Sequence, residues 1–378
     1  MKFEDFFDLE KFEYKWDYIE TIPEFAILKD CEQNPKWHSE GTAWEHSKLV
    51  AQAAIDYCVK YYYDKDCEYD NKILLLSALF HDIGKGVTTE FKKGNWHAYG
   101  HETASEKITR RLLWDEDIYI RETVCSLVRW HMEPLRIAES SKYMEKIFKL
   151  KLNVNFELLL KLKRFDILGS KPLDETQTEY DLYILRKMDD IFHRIGKHHY
   201  GRTGMFNCKF LSKDMFDKPE IRVYMMMGIS GSGKSTKVDE IVADEEEGTT
   251  VVVSRDIARV ALGYCSGNEK YLGTTEQENM VTAYCNELIR ESAEKGKHII
   301  IDNMNLKRKY RDGVKELLKQ YNVKYIYVYV EADSIEKNIE RRKGQISPDI
   351  IEGVIKGMIS SIEWPTVDEY DNLFKFRN

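Results

Sequence analysis

One stretch, Gly228-Ile229-Ser230-Gly231-Ser232-Gly233-Lys234-Ser235-Thr236, constrains this chain more than any other. It follows an apolar run, Val223-Tyr224-Met225-Met226-Met227, and precedes a segment, Lys237 to Val242, that reads as a helix. Strand, glycine loop and helix in that order fit G-x-x-x-x-G-K-[ST], a loop that wraps nucleotide phosphates. Gly228, Gly231 and Gly233 let backbone N–H groups turn inward and approach phosphate oxygens with no Cβ in the way. The helix that follows offers unpaired N–H groups and a positive dipole end. Lys234 is placed to reach the β- and γ-phosphates, and the Ser235 hydroxyl to ligate Mg²⁺. The expected NTP site therefore comprises Gly228, Gly231, Ser232, Gly233, Lys234, Ser235 and Thr236. The loop does not say what happens to the γ-phosphate.

Length and composition bound the rest. At roughly 100–200 residues per domain, 378 residues make two or three domains. A hydrophobic content of 43% is ordinary for a globular protein and supports a sizeable core. The net charge of −8 counts against a surface that is basic throughout, as in many nucleic-acid binders, but leaves room for a local basic groove. Seven cysteines are dispersed with no C-x-x-C pair, which reads as reduced intracellular thiols. The start, Met1 to Asp8, is acidic and aromatic and lacks the regions of a signal peptide. Ile73 to Phe80, among the longest apolar runs, is too short to span a bilayer. A cytoplasmic protein without membrane contact is expected.

Up to Gly196 the apolar spacing is helical. Ser47–Tyr63, Lys72–Asp82, Glu102–Trp114, Ile118–Trp130, Tyr143–Leu150, Phe156–Leu168 and Glu179–Ile195 all show three- and four-residue periodicity. An all-α bundle follows, with glycine-containing loops at Gly84–Gly86, Gly94–Gly100 and Gly169. His46, His81-Asp82, His97, His101, His131 and Asp166 fall at helix ends or inner faces. Asp166 sits among leucines, where an unpaired charge costs several kcal/mol (order of magnitude), so it needs a partner such as a metal. Imidazole with carboxylate suits divalent first-row metals.

The series His46, His81-Asp82 and Asp166, with Ile83-Gly84-Lys85 after the doublet, resembles the HD phosphohydrolase superfamily. The preceding Asn34 to His46 is similar to the first-helix entry of HD domains attached to nucleotidyltransferases and RNA-repair enzymes. The resemblance implies that His46, His81, Asp82 and Asp166 hold one metal. It also implies that His101 and His131 hold a second, with Asp82 bridging. Mn²⁺, Ni²⁺, Co²⁺ or Fe²⁺ are the candidate ions. A bound metal brings the pKa of water toward ~7, and two metals clamp phosphate and attacking oxygen. Lys85 either neutralises charge on the phosphoryl oxygens or is a solvated loop lysine. His38 and His97 contact phosphate or are structural.

Between Ile195 and Glu220 the periodicity fades into glycine, charge and proline, which marks a boundary. His198-His199 is read as linker surface. The expected division is 1–200 for the helical domain, 201–218 for a linker and 219–378 for a second domain. From Ile221 strands alternate with helices: Val223–Met227, Thr249–Ser254, His298–Asp302 and Lys324–Val330 as strands, Thr275–Lys295 and Lys309–Tyr321 as helices. That alternation makes an α/β domain with a parallel sheet, whose ligands bind at the carboxyl ends of its strands. Asp256 and Arg259 lie there, three residues apart on one helical face. An aspartate so placed can accept a proton from an attacking hydroxyl, and the arginine can hold an acceptor phosphate. Asp302 begins the polar cluster Asp302-Asn303-Met304-Asn305 and fits a Walker B-like or an acceptor-site carboxylate. Glu340-Arg341-Arg342-Lys343-Gly344 reads as a lid that supplies an arginine to the transferring phosphoryl group.

From Ile221 to about Tyr370 these positions resemble the bacteriophage-type polynucleotide 5′-hydroxyl kinases. The resemblance implies Asp256 as general base, Arg259 as acceptor-phosphate clamp and Arg342 as lid arginine, with Arg341 an adjacent candidate. The family's second lid arginine falls at Asn338, so that contact is expected to be absent or supplied by a neighbour. An HD domain ahead of such a kinase looks like the HD-Pnk class of bifunctional RNA end-healing enzymes. The implied activities are an ATP- and Mg²⁺-dependent 5′-hydroxyl kinase and a metal-dependent 3′- or 2′-phosphatase or 2′,3′-cyclic phosphate hydrolase. RNA or DNA ends are the implied substrates, with an RNA ligase acting downstream. The competing expectation is a nucleotide phosphohydrolase fused to a nucleoside or small-molecule kinase.

Overall fold

The computed structural model describes residues 1–61, 68–138, 140–174, 176–198, 220–265, 273–342 and 348–377. The expected linker, Cys67, Cys208, His199, Lys343 and Gly344 lie outside these residues. The chain divides into two units, Met1–Arg202 and Thr203–Asn378.

In the first unit the helices that carry the histidines pack on one another because their apolar stripes are continuous. Ala43–Tyr61 lies against Phe156–Gly169, Glu68–Phe80 against Ile118–Trp130, and His101–Leu112 against Ile118–Trp130. Two close approaches set the geometry. A Cβ on Gly169 would stand 2.7 Å from the Val50 backbone nitrogen, and one on Gly84 2.3 Å from the His101 carbonyl. Only glycine allows either contact. The first brings Asp166 toward His46, and the second brings His101 toward the His81-Asp82 doublet.

The remaining positioning is aromatic and ionic. Phe80, next to His81, is wedged between Phe6 and Phe25 at ring distances of 5.2 and 5.1 Å. Asp117 caps Ile118–Trp130 by accepting from the Tyr119 and Ile120 amides. Arg110 donates through Nε and Nη2 to Glu122, and Arg121 Nε donates to the same carboxylate at 2.7 Å. Burial opposes charge on Glu122, but Arg110 and Arg121 outweigh it and hold the carboxyl at about 2. This network clamps the helix that His101 opens to the helix that His131 closes.

The helical reading holds with two local departures. Two short antiparallel hairpins interrupt the bundle: β1 (Phe7–Asp8) with β2 (Glu13–Tyr14), and β3 (Glu90–Lys92) with β4 (Asn95–His97). The second was expected as part of a loop at Gly94–Gly100. Lys93 and Gly94 take φ of 51° and 79°, the left-handed pair of a two-residue turn. Phe91 and Trp96 face each other across it, 5.0 Å between rings. Three-residue strands are too short for alternation to show in sequence.

The second unit is built on five parallel strands in the order β6-β7-β5-β8-β9. They are β5 (Ile221–Met227), β6 (Thr250–Val253), β7 (His298–Ile301), β8 (Val323–Glu331) and β9 (Asn372–Arg377). Val223, Met225, Met226, Met227, Ile299, Ile300 and Ile301 are buried, as strands covered on both faces require. The edge strand β9 is new relative to the sequence reading. Its residues are exposed or half-exposed, so it lacks the buried apolar run that marks the inner strands. Arg377 Nη2 holds Glu331 of β8 at 2.6 Å. Among the described residues no helix is long and apolar enough to cross a membrane.

Candidate active sites

In the first unit, His46, His81, Asp82, His101, His131 and Asp166 meet in one buried cluster. Each elementary position has a local cause. His81 and His131 follow the last turns of their helices, and His101 opens one. Each ring turns back so that its Nδ1 faces the carbonyl three residues before: Ala78 at 2.9 Å, Ala98 at 2.7 Å and Val128 at 2.8 Å. A carbonyl only accepts, so Nδ1 carries the proton in all three rings and Nε2 presents a lone pair.

Those lone pairs converge on carboxylates. His81 Nε2 lies 3.2 Å and His46 Nε2 3.5 Å from Asp82 Oδ2, and His46 Nε2 lies 3.1 Å from Asp166 Oδ1. On the other side, His101 Nε2 and His131 Nε2 lie 3.2 and 3.6 Å from Asp82 Oδ1, and 3.3 Å from each other. Asp82 thus turns one oxygen to each set. Its Oδ1 is buried and has no hydrogen-bond donor among the described residues. Acceptors crowded this closely repel one another unless a cation stands among them. The residues therefore fit divalent metal ions, which take imidazole and carboxylate together.

Burial opposes charge on Asp82, yet His81 and Lys85 outweigh it and hold its carboxyl well below the usual range. Asp166 is held low in the same way, with burial opposing and Lys163 and His46 prevailing. Burial pulls His46 down, but Asp166 and Glu40 raise it to about 9. A cation between Nε2 and the carboxylate meets the same electrostatic demand.

Two neighbours, Lys163 and Glu40, had no role in the sequence reading, and a third, Lys85, had two. Lys163 Nζ sits 2.6 Å from Asp166 Oδ2, with the side chain only 7% exposed. Its signal was the three-residue spacing to Asp166. Lys85, open between two readings, is buried: Nζ lies 2.6 Å from Asp82 Oδ2 and donates to Gln33 Oε1 at 2.6 Å. It is not a solvated loop lysine. Glu40 Oε1 faces His46 Nδ1 at 2.9 Å and His38 Nδ1 at 2.7 Å, and Oε2 accepts from the Lys171 amide. His38 is thereby a brace for Glu40, edge-on to His46. Outer-shell carboxylates of this kind orient the ligand ring. Glu40→Gln is expected to weaken metal binding about 10–100-fold, read by titrating the metal-free protein with Mn²⁺. Unchanged affinity would show that Glu40 does not orient His46. His97 lies on the wall of a cavity of about 570 Å³ that reaches Asp82, His101, His131 and Asp166.

In the second unit the loop after β5 takes φ of 143°, 78° and 95° at Gly228, Gly231 and Gly233. A Cβ on Gly228 would stand 2.1 Å from the Val330 carbonyl. The helix Lys234–Asp244 begins directly at the loop, three residues earlier than its apolar pattern implied, because Gly233 caps it. Lys234 Nζ donates to the Ile229 carbonyl at 2.8 Å, and burial pushes its ammonium down to about 8 against the pull of Asp302. Ser235 Oγ, the hydroxyl expected on Mg²⁺, lies 3.4 Å from Asp302 Oδ2 at the end of β7. Burial raises the Asp302 carboxyl, with Lys234 acting in the opposite direction. Asn305, φ 44°, donates to the Met226 carbonyl at 2.7 Å and pins this cluster to the strand before the phosphate loop.

Asp256 and Arg259 occupy the helix Arg255–Ala261 after β6. Their side chains touch at 2.5 Å, and Arg259 also donates through Nε and Nη2 to Glu278 at 2.9 and 3.1 Å. Glu278 was not singled out in the sequence. The Asp256 side chain is 91% exposed. The helix Ile335–Arg341 lies on the phosphate loop: Asn338 Nδ2 donates to the Ser230 carbonyl at 3.1 Å, and Arg341 Nη1 to that of Gly231 at 3.0 Å. Asn338, which stands where the resemblance has a second lid arginine, ties this helix to the loop through its amide. Arg342 Nε is buried with no hydrogen-bond acceptor among the described residues, and its charge bears on Lys234.

Comparison with known proteins agrees with both halves. Residues 43–191 match the family model described as HD domain, and residues 223–365 the one described as AAA domain. Solved structures similar to 42% of this chain include one titled as the Pnkp1/Rnl/Hen1 RNA repair complex, at 16% identity, covering 53% of that chain with a TM-score of 0.32. Another is a fungal RNA kinase, at 14% identity over 75% of its chain with a TM-score of 0.28. A third is a sugar kinase from Janibacter sp. HTCC2649, at 21% identity over 86% of its chain with a TM-score of 0.30. No curated protein sequence matches the chain. The chain therefore carries a match to an HD domain followed by a match to an AAA domain.

Proposed function

We propose that the protein heals nucleic-acid ends. The second unit would transfer the γ-phosphoryl group of ATP to a 5′-hydroxyl. The first would remove a 3′- or 2′-phosphate or open a 2′,3′-cyclic phosphate, on an RNA or DNA end. The products, a 5′-phosphate and a 3′-hydroxyl, are the ends a ligase joins, so an RNA ligase is the proposed downstream partner.

The observation that carries this reading is the exposure of Asp256 beside a complete phosphate loop. A base held in open solvent suits the end of a long strand better than a nucleoside enclosed in a pocket. Asp256 would take the proton of the attacking hydroxyl, and Arg259 would release one carboxylate partner to hold the acceptor phosphate. Lys234 and Arg342 would face the phosphoryl group in transit, with Ser235 and Asp302 on Mg²⁺. Arg341 would keep the lid on the loop.

In the first unit, His46, His81, Asp82 and Asp166 would hold one divalent ion and His101 and His131, with Asp82, the other. Mn²⁺, Ni²⁺, Co²⁺ and Fe²⁺ suit these ligands. Such ions polarise a phosphoryl oxygen and make water nucleophilic at neutral pH. Lys85 and Lys163 would neutralise charge that builds on the phosphoryl oxygens, since each ammonium already lies against a ligand carboxylate.

The test is an oligonucleotide with a 5′-hydroxyl and a 3′-phosphate, incubated with ATP, Mg²⁺ and Mn²⁺, each end followed separately. Both ends should change. Equal phosphorylation of free nucleosides would favour a metabolic kinase and sink the end-healing reading.

A further inference from the structure

The cavity that opens from the HD cluster is much larger than a phosphate requires. Its volume of about 570 Å³ lies in the range of sites that take whole organic ligands. The phosphoryl group needs only the deep end, where Asp82, His101, His131 and Asp166 meet. The outer wall has a different chemistry. Trp37, Trp96, His97 and Tyr99 line it, and they come from two separate segments: the loop ahead of His46, and β4 with the turn after it.

These rings are displayed rather than packed away. Tyr99 is 74% exposed and Trp37 44%, although large aromatics contribute most when buried. Their orientation is held from below. The His97 and Tyr99 rings lie parallel, 9° apart in plane with centroids 5.1 Å apart. Trp96 is braced edge-on by Phe91, and the β3–β4 register fixes where both stand. Lys36 Nζ sits 4.6 Å from the centre of the Trp37 ring and adds positive charge on that side. Arg136 lines the cavity near its mouth and is joined to Glu102 at 3.2 Å. Flat rings on the wall of a cavity whose deep end fits a phosphate, with cations among them, have the composition of a stacking platform for single-stranded nucleic acid.

We propose that Trp37, Trp96 and the His97–Tyr99 pair stack the nucleobases next to the terminal phosphate of a single strand. The inference rests on the end-healing reading of the HD site and specifies its substrate: a single-stranded terminus bearing its last bases, read by their faces and not by sequence. Stacking on aromatic side chains tolerates every base because each has a π-face. A terminus sealed in a duplex keeps its bases on each other and presents none to the platform.

The experiment compares two single-stranded oligonucleotides that end in the same 3′-phosphate. One carries its final two bases and the other has abasic sugars there. Wild-type, Trp37→Ala, Tyr99→Ala and the double variant are assayed as the full chain loaded with Mn²⁺, with metal content measured for each. Wild type should show a KM about tenfold lower for the base-bearing strand. In the variants that ratio should collapse toward one, through KM rather than kcat, and Trp37→Phe and Tyr99→Phe should restore it. Metal content equal to wild type marks the variants as folded at the cluster. An unchanged ratio in the double variant, or equal KM values for the two strands in wild type, overturns the platform while the end-healing reading stands. Failure of wild type to release phosphate from either strand overturns both.

Discussion

Asp82→Asn is expected to abolish phosphate release from a 3′-phosphorylated oligonucleotide while 5′ phosphorylation continues. The two Asp82 oxygens face different imidazole sets, so one substitution disturbs both. An amide offers one acceptor and a competing donor, which cannot serve two cations. The rate should fall by more than about 100-fold, beyond the 10–100-fold typical of outer-shell partners. Metal content should drop by about one ion per chain, measured on the purified protein. Removing the charge also leaves Lys85 buried without its carboxylate, which costs stability on the order of a few kcal/mol. His101→Ala keeps Asp82 and Lys85 paired and separates the two effects. Full activity in both variants would exclude the cluster from catalysis. Loss in Asp82→Asn alone would assign the loss to unfolding.

Asp256→Ala should produce the opposite pattern, a loss of about 10²–10⁴-fold in 5′ phosphorylation with 3′ dephosphorylation retained. Stability should hardly change, because the carboxylate is almost wholly in solvent and Arg259 keeps its bonds to Glu278. ATP binding should persist, since the loop and Lys234 are untouched. Single-turnover assays with labelled ATP separate binding from transfer. A variant that transfers phosphate at the wild-type rate would rule out Asp256 as the base. Simultaneous loss of ATP binding would assign Asp256 to the donor side.

The legible parts of this protein were those encoded in contiguous residues. The phosphate loop could be read because strand, glycines and helix must adjoin for backbone amides to meet phosphate. The His81-Asp82 doublet could be read because it follows an apolar helix directly. The β3–β4 hairpin and β9 escaped for the converse reason: strands of three residues, or at a half-solvated edge, leave no periodic apolar trace. Lys163 was visible only as a lysine one helical turn from Asp166, and such pairs are usually solvated.

The chain's residue types and local spacing by themselves pointed to two chemistries, a phosphate-binding loop at Gly228–Thr236 and a candidate ligand set rich in histidine and aspartate. Tertiary structure alone decided how the ligands divide. His46 and Asp166 stand 120 positions apart and meet at 3.1 Å because Gly169 lets one helix settle against Val50 of another. It also decided that Glu40 braces His46, and that Arg341 is spent on the Gly231 carbonyl while Arg342 Nε is left unpaired. Local geometry follows from the backbone of neighbouring residues. Meetings between distant side chains depend on how closely whole helices pack, and that distance is a property of the assembled core.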